Sequence, residues 1–190
     1  MVDEPNSAHT APAQGALFPD SSLPDELVGY RGPAACQIAG ITYRQLDYWA
    51  RTGLVVPSIR GAAGSGSQRL YSFKDVLVLK VVKRLLDTGV SLQNIRVAVE
   101  HLRRRGVRDL AGITLFSDGT TVYECASPEE VVDLLQGGQG VFGIAVSGAI
   151  REISGTIHEF PAERADGGAV NPMPEDELTA RRRNRERAIG

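Results

Sequence analysis

Apolar residues recur at helical spacing in two short segments that are separated by a glycine. The first segment follows Pro33, a residue suited to the first turn of a helix, and ends at Gly40. The second begins with the capping-box pattern of Thr42 and Gln45 and stops near Gly53. Two short helices joined by a tight turn predict a helix-turn-helix.

A hairpin and two longer helices are predicted after this pair. Residues 54–56 and 68–71 are rich in β-prone side chains and flank a glycine- and serine-rich stretch, which predicts a hairpin, or wing, with a flexible tip. Apolar stripes that follow capping residues predict one helix over 72–89 and another over 91–106. The predicted order is therefore helix, turn, helix, wing, helix, helix.

The next part of the chain alternates between strand and helix signals. Runs of β-prone residues on either side of an Asp-Gly pair at 118–119 predict a second hairpin. A capping box precedes a predicted helix over 128–136, and residues 141–146 favour a third strand. A final helix is predicted from the helical spacing of Ile150, Ile153, Ile157 and Phe160.

These elements predict an α+β chain with two folded units between two arms. A winged helix-turn-helix is expected over residues 25–107 and a small mixed α/β domain over 108–160. Residues 1–24 and 161–190 are rich in Pro, Gly or charge and lack apolar periodicity, so we expect both to be disordered. No membrane-spanning run and no secretory signal are visible, so a cytoplasmic protein is expected.

Charge is sorted along the chain rather than mixed. The 190 residues carry 21 Lys plus Arg and 23 Asp plus Glu, a net charge of -2. Residues 25–107 hold 13 basic and 6 acidic residues, a net +7, whereas residues 108–163 hold 2 and 9, a net -7. This asymmetry indicates a basic, nucleic-acid-binding module beside an acidic companion.

One face of the second helix carries the candidate chemistry. The residues that share this face, at spacings i, i+3, i+4 and i+7, are Arg44, Asp47, Tyr48 and Arg51. Leu46 and Trp49 fall on another face, which we expect to join the core. Arginine reads guanine edges or neutralises phosphates and tyrosine bonds phosphates, so the polar face suits the major groove of DNA. An ordinary solvated helix face is the alternative.

Several ordered motifs over residues 30–105 resemble the DNA-binding domain of the MerR family of bacterial transcription regulators. The motif QLDYWARTGLVVP is similar to the family's recognition helix and its exit, RLYSFKDV to the return strand of the wing and the next helix, and GVSLQNI to the last helix. The resemblance implies a MerR-type winged helix-turn-helix and a homodimer on inverted-repeat promoter sites. It also implies DNA that is bent and untwisted between the two recognition helices.

The resemblance also implies particular DNA contacts. Tyr48 matches the family's phosphate-contacting aromatic residue, Arg69 matches the arginine of the wing, and Tyr71 matches the tyrosine two residues later. Arg60 corresponds to a basic residue that follows the family's proline. Together with neighbouring polar positions, the predicted DNA-binding set is Arg31, Thr42, Tyr43, Arg44, Asp47, Tyr48, Arg51, Arg60, Gln68, Arg69 and Tyr71.

Asp47 departs from the family pattern, which usually has an arginine at this position. A carboxylate facing a polyanion should weaken binding unless another effect offsets the repulsion. One interpretation is that Asp47 pairs with Arg44 and Arg51, at i-3 and i+4, and orients both guanidinium groups toward phosphates. The other is that it accepts a hydrogen bond from a cytosine amino group and contributes sequence preference.

The acidic half carries a second resemblance. Residues 118–146, DGTTVYECASPEEVVDLLQGGQGVFGIAV, resemble the C-terminal half of an actinobacterial subgroup of MerR-like proteins associated with control of cell-division genes. That resemblance implies regulation without an obvious small-molecule ligand. No long heptad helix follows Gly106, so we expect dimerisation through the third strand and the apolar face of the final helix, formed by Ile150, Ile153 and Ile157.

The predicted function is a sequence-specific regulator whose partners are double-stranded DNA and a second copy of itself. Cys36 and Cys125 lie far apart without a close His or Cys, and no nucleophile stands beside a base, so no metal, cofactor or enzymatic activity is predicted. Two alternatives stay open. One is an architectural, DNA-bending protein of the excisionase type; the other is a protein-interaction module recruited to DNA, with RNA polymerase as its partner.

Overall fold

The computed structural model of the chain describes residues 27–61, 68–119, 121–130 and 140–171. The first part contains β1 (Val28–Arg31), α1 (Gly32–Ala39), α2 (Tyr43–Arg51), β2 (Leu70–Tyr71), α3 (Phe73–Asp87) and α4 (Leu92–Arg103). The second contains α5 (Val107–Leu110), β3 (Thr114–Ser117), β4 (Val122–Cys125), β5 (Phe142–Ala145), α6 (Val146–Thr156), a 3-10 turn (Ile157–Glu159), β6 (Ala162–Arg164) and β7 (Ala169–Asn171). The predicted arm over 1–24 and the wing tip over 62–67 lie outside the described residues.

The helices of the first part begin at the capping residues. The side chains of Thr42, Ser72 and Ser91 each accept a hydrogen bond from the backbone three residues further on, and the first two complete reciprocal capping boxes. Helix α1 has a proline in its first turn and ends at Gly40, whose φ of 73° is left-handed. The predicted helix-turn-helix and the two helices after the wing are therefore confirmed.

The wing is built differently from the predicted hairpin. Residues 54–56 are not a strand: the backbone N–H groups of Leu54 and Val55 donate to the carbonyl of Trp49, and both side chains are buried. This segment extends the end of α2 into the core instead of forming a strand. The return strand β2 pairs with β1, and Leu70 forms an isolated bridge with Arg60.

A four-stranded sheet joins the two ends of the described chain. Its strand order is β2-β1-β6-β7, so β1 lies between the wing and a C-terminal hairpin. Gly29 is opposite Glu163 in this sheet, and a Cβ on Gly29 would come within 2.9 Å of the Leu70 Cβ, so the close packing of the wing against β1 requires glycine. The prediction that order ends at 161 is wrong, because residues 162–164 and 169–171 add strands to this sheet.

The second sheet has the strand order β4-β3-β5. The hairpin of β3 and β4 turns at Gly119, whose φ is 90°, and β5 occupies the position of the predicted third strand. Helix α6 and the 3-10 turn follow it, as the final helical pattern predicts. Residues 128–130 begin the predicted 128–136 helix, and the rest of it lies outside the described residues.

One hydrophobic core connects the two predicted domains. Its buried side chains run from Val28 to Ala162, and α3 supplies eight of them. Helix α6 packs against α3, where Glu152 forms ion pairs with Lys80, at 2.8 Å, and with Arg84. The unit predicted over 108–160 thus shares its packing with the helix-turn-helix. None of the helices in the described ranges has the length and apolar character to cross a membrane.

Candidate nucleic-acid interface

Helix α2 presents one polar face to solvent because its apolar face is fixed in the core. Leu46 and Trp49 are 1% and 2% exposed. The exposed side chains of the helix are Tyr43, Arg44, Tyr48 and Arg51. Tyr43 and Tyr48 keep 63% and 46% of their surface in solvent, which is unusual for large aromatic residues and indicates a contact surface.

Thr42 has a defined structural task at the start of this helix. Its Oγ1 accepts from the backbone N–H of Gln45 at 3.2 Å, and its own N–H donates to Gln45 Oε1 at 3.0 Å. The first turn of α2 is therefore closed by the chain itself. The side chain of Thr42 stays exposed beside Tyr43.

Asp47 links α2 to the wing through two arginines. Its Oδ2 accepts from Arg51 Nε at 2.8 Å, and its Oδ1 accepts from Arg69 Nη1 at 2.9 Å. The hydrogen bond from Arg69 is the main cause that lowers the pKa of Asp47 below its ordinary value, with the charge of Arg51 adding to it. The predicted i+4 pairing is confirmed for Arg51, whereas the second partner is Arg69 and not Arg44. We call these three residues the Asp47 clamp.

A groove brings several of the predicted DNA-binding residues together. It lies between the start of α1, the start of α2 and the approach to β2. The residues that line it are Arg31, Gly32, Pro33, Tyr43, Leu46, Asp47, Gln68 and Arg69. Five members of the predicted set, distant in sequence, thus surround one concave surface beside the exposed face of α2.

Glu163 is a neighbour of the interface that sequence reasoning did not identify. Its carboxylate, on β6, forms ion pairs with Arg31 and with Arg60, whose Nη2 lies 3.4 Å from Oε2. Arg31 and Arg60 are thus joined by a residue from the opposite end of the described chain. No local signal could have identified this contact, because Arg60 and Glu163 are 103 positions apart.

Other basic residues of the +7 module hold the fold together. Arg96 Nη1 donates to the carbonyl of Thr52 at 3.0 Å, and Arg103 donates to that of Gly53 at 3.5 Å, so α4 anchors the end of α2. Lys80 Nζ donates to the carbonyl of Ile38 as well as pairing with Glu152. The net charge of the module therefore overstates the number of cations that remain for a ligand.

Tyr71 does not lie on the surface that the sequence predicted for it. Its side chain is 0% exposed and packs in the core, where burial raises its pKa to about 12. The neighbouring Arg69 guanidinium partly offsets this rise. Tyr71 stands opposite Tyr30 on the edge strand β2, and its side chain belongs to the core, so its DNA contact is withdrawn and its role is packing.

The isoleucines predicted to form a dimer face are also interior residues. Ile150, Ile153 and Ile157 are 0%, 0% and 6% exposed, and all three belong to the core of their own chain. Their helical spacing identifies a buried face correctly, but α3 and the rest of the core cover that face. They have no free surface for a second copy, so this prediction is wrong.

The two cysteines are buried separately. Burial is the main cause that raises the pKa of both thiols, which disfavours the thiolate that metal binding and nucleophilic attack require. Within the described ranges, no cluster of three His, Cys, Asp or Glu side chains is arranged to hold a metal ion.

Comparison with known proteins identifies the family to which the chain is similar. The model of the MerR HTH family of regulatory proteins matches residues 30–102. A chain of Mycobacterium tuberculosis, described as an uncharacterized HTH-type transcriptional regulator, is 78% identical over 184 residues, which cover 97% of this chain and 82% of that one. A Mycobacterium bovis regulator of the same description matches equally.

A more distant relative covers less than half of the chain. The HTH-type transcriptional regulator HmrR of Sinorhizobium medicae is 29% identical over 83 residues, which cover 43% of this chain and 54% of that protein. The family match runs from the second half of β1 through almost all of α4, and therefore includes the exposed face of α2 and the wing. The chain belongs to the MerR family of helix-turn-helix transcriptional regulators.

Proposed function

We propose that this chain regulates transcription as a homodimer that binds inverted-repeat promoter sites sequence-specifically and distorts the promoter DNA. The observation that carries the proposal is the exposed face of α2, where Tyr43, Arg44, Tyr48 and Arg51 lie beside the wing residue Arg69. An α-helix of this kind fits the major groove, where arginines read guanine edges and tyrosines bond phosphates.

The Asp47 clamp supports a positioning role for the carboxylate. Each of its two oxygens accepts from a different guanidinium, one on α2 and one on the approach to β2. A carboxylate engaged in this way holds both cations at the surface in a defined geometry, which lowers the entropy lost when they bind phosphates. This arrangement favours orientation over direct reading of a cytosine.

The homodimer follows from the size of the recognition surface. One chain supplies one recognition helix, and helix-turn-helix proteins of this type obtain their specificity by placing two such helices in successive major grooves. Two-fold symmetry in the protein requires an inverted repeat in the DNA. Sedimentation of the purified chain, with and without DNA, measures this directly, and a monomer on DNA would contradict it.

Mapping of the DNA sites bound by the purified protein tests the function as a whole. We expect an inverted-repeat footprint that lies between promoter elements and disappears in Arg44→Ala. The matched control is Arg151→Ala, which removes an exposed arginine from α6 and should leave the footprint intact. Sites remote from promoters would instead favour the architectural, excisionase-type function.

A further inference from the structure

Two arginines of the interface share a single carboxylate. Arg31 and Arg60 both pair with Glu163, whose side chain is only 18% exposed, while theirs are 49% and 39% exposed. Two positive charges therefore face one negative charge. The Arg60 Nε is buried and finds no acceptor among the described residues, so this guanidinium is incompletely satisfied.

The sheet fixes the position of this carboxylate. Glu163 is opposite Gly29 on β1, Arg31 is opposite Leu70, and Leu70 is bridged to Arg60. Residues that are paired directly across an antiparallel ladder, or lie two apart on a strand, point to the same face. The two arginines and Glu163 therefore share one face, and the backbone ladder of β6 keeps the carboxylate beside them.

The same arginines adjoin the proposed DNA surface. Arg31 lines the groove that also contains Tyr43 and Arg69, and Arg60 lies at the base of the wing. Phosphate and carboxylate are recognised by guanidinium groups with the same geometry. A carboxylate that binds this pair in the free chain therefore stands where a backbone phosphate of bound DNA would bind.

We propose that Arg31 and Arg60 form a DNA-phosphate site and that Glu163 is its internal competitor, held in place by the C-terminal hairpin. This inference rests on the proposed function. Ion pairs between partly exposed groups are weak, so a phosphate can displace the carboxylate. The carboxylate lowers the affinity for every DNA sequence alike, because phosphate contacts carry no sequence information.

The test measures binding of a short fluorescein-labelled duplex of mixed sequence from about 50 to 200 mM salt. Glu163→Gln should bind more tightly than the wild-type chain, and its slope of log affinity against log salt should be steeper by roughly 0.9 per chain. Glu129→Gln is the matched control, since it removes the charge of an exposed glutamate that follows β4 of the other sheet. This control should bind like the wild-type chain.

Substitution of the two arginines provides an independent test. In the double variant Arg31→Gln/Arg60→Gln the slope should be shallower than in the wild-type chain, and adding Glu163→Gln should then change nothing. The comparison of the double arginine variant with the wild-type chain stays informative even if Glu163→Gln loosens the hairpin. Thermal unfolding of each variant would reveal such loosening.

Three outcomes would overturn the inference. The first is that a folded Glu163→Gln binds DNA more weakly than the wild-type chain or equally well. The second is that Glu129→Gln gains as much DNA affinity as Glu163→Gln. The third is that the double arginine variant keeps the wild-type slope of log affinity against log salt. Weaker binding by Glu163→Gln would make Glu163 a residue that positions the arginines for DNA. If the wild-type chain itself shows no salt-dependent DNA binding, the proposed function fails, and that result is distinct from all three.

Discussion

Helices α2 and α6 each bury one apolar face and expose the other, but they treat the charge on the exposed face differently. On α6, Glu152 binds Lys80 and Arg84 of α3, so its charge ties the helix to its own chain. On α2, the single carboxylate Asp47 holds two arginines at the surface. The exposed cations of α2 therefore remain accessible to an anionic ligand, whereas α6 is a structural support.

Burial alone does not distinguish these helices, since both have core faces that are almost fully covered. What distinguishes them is where the partners of the charged residues lie. The carboxylate of Glu152 pairs with a neighbouring helix and closes a contact within the fold. The carboxylate of Asp47 pairs with the exposed Arg51 and with Arg69, which lines the groove beside α2, and so arranges a binding surface. Substitutions on the two helices test this difference.

Ile153→Asp should unfold the chain rather than merely separate two subunits. The side chain is 0% exposed, and an unpaired charge in a packed core costs roughly 4 kcal/mol or more. Chemical denaturation measures the loss, with Arg151→Asp, a charge change on the exposed face of the same helix, as the control. If Ile153→Asp folds but no longer dimerises, Ile153 lies at the subunit contact, and the burial of its side chain within its own chain is contradicted.

Arg44→Ala should weaken DNA binding and leave the fold unchanged. Loss of a base-reading arginine should cost about 1–3 kcal/mol of binding free energy at the cognate site. Loss of a phosphate contact should instead weaken binding to all DNA sequences similarly. Titrations against the mapped site and against unrelated DNA separate these two contributions. The unfolding curves of the variant and the wild-type chain should coincide, which shows that the fold is unchanged. Normal DNA binding by Arg44→Ala would contradict the role assigned to α2.

Asp47→Ala should reduce affinity for the specific site several-fold, because Arg51 and Arg69 lose the carboxylate that orients them. The measurement is the ratio of specific to unrelated DNA affinity in the same buffer. Asp87→Ala, which removes an exposed carboxylate at the end of α3, is the control. Uniformly tighter binding to all DNA would show that Asp47 only repels phosphates.

Glu152→Gln should have the smallest effect, a loss of under about 1 kcal/mol of folding free energy that shrinks as salt is added. Glu152 is half exposed, so solvent already screens its pairs with α3. A larger loss, or one that salt leaves unchanged, would mean that α6 depends on this contact more than on its buried face.

The pH dependence of stability gives a further check on the same contact. The hydrogen bond from Lys80 is the main cause that lowers the pKa of Glu152 below its ordinary value of 4.5. A lowered folded-state pKa contributes stability that is complete above the ordinary value and is lost as the pH falls through the lowered one. The melting temperature difference between the wild-type chain and Glu152→Gln should therefore persist from neutral pH to about pH 5 and vanish in stronger acid.

Local signals were sufficient for much of the fold. The capping box of Thr42 and Gln45, the two faces of α2 and the β3–β4 hairpin each depend on residues a few positions apart. The i+4 pair of Asp47 and Arg51 is equally local. For these features, the spacing along the chain sets the geometry directly.

The parts that were missed depend on packing between distant segments. Helical spacing shows that Ile150 and Ile153 share a face, but it does not show that α3 covers them. Nothing near Glu163 indicates that its strand joins β1, since the contact with Arg60 closes a loop of 103 positions. Likewise, Tyr71 is buried because β2 packs against α1 and α3, which the two-residue spacing from Arg69 does not reveal.

The salt dependence of DNA binding by the wild-type chain measures whether the exposed face of α2 and the wing form the DNA surface. If a dimer neutralises about 8 phosphates through the exposed face of α2 and the wing, log affinity should fall with log salt at a slope near -7, at roughly -0.9 per contact. A slope near -1 would contradict the assignment of Arg44, Arg51, Arg60 and Arg69 to the DNA surface.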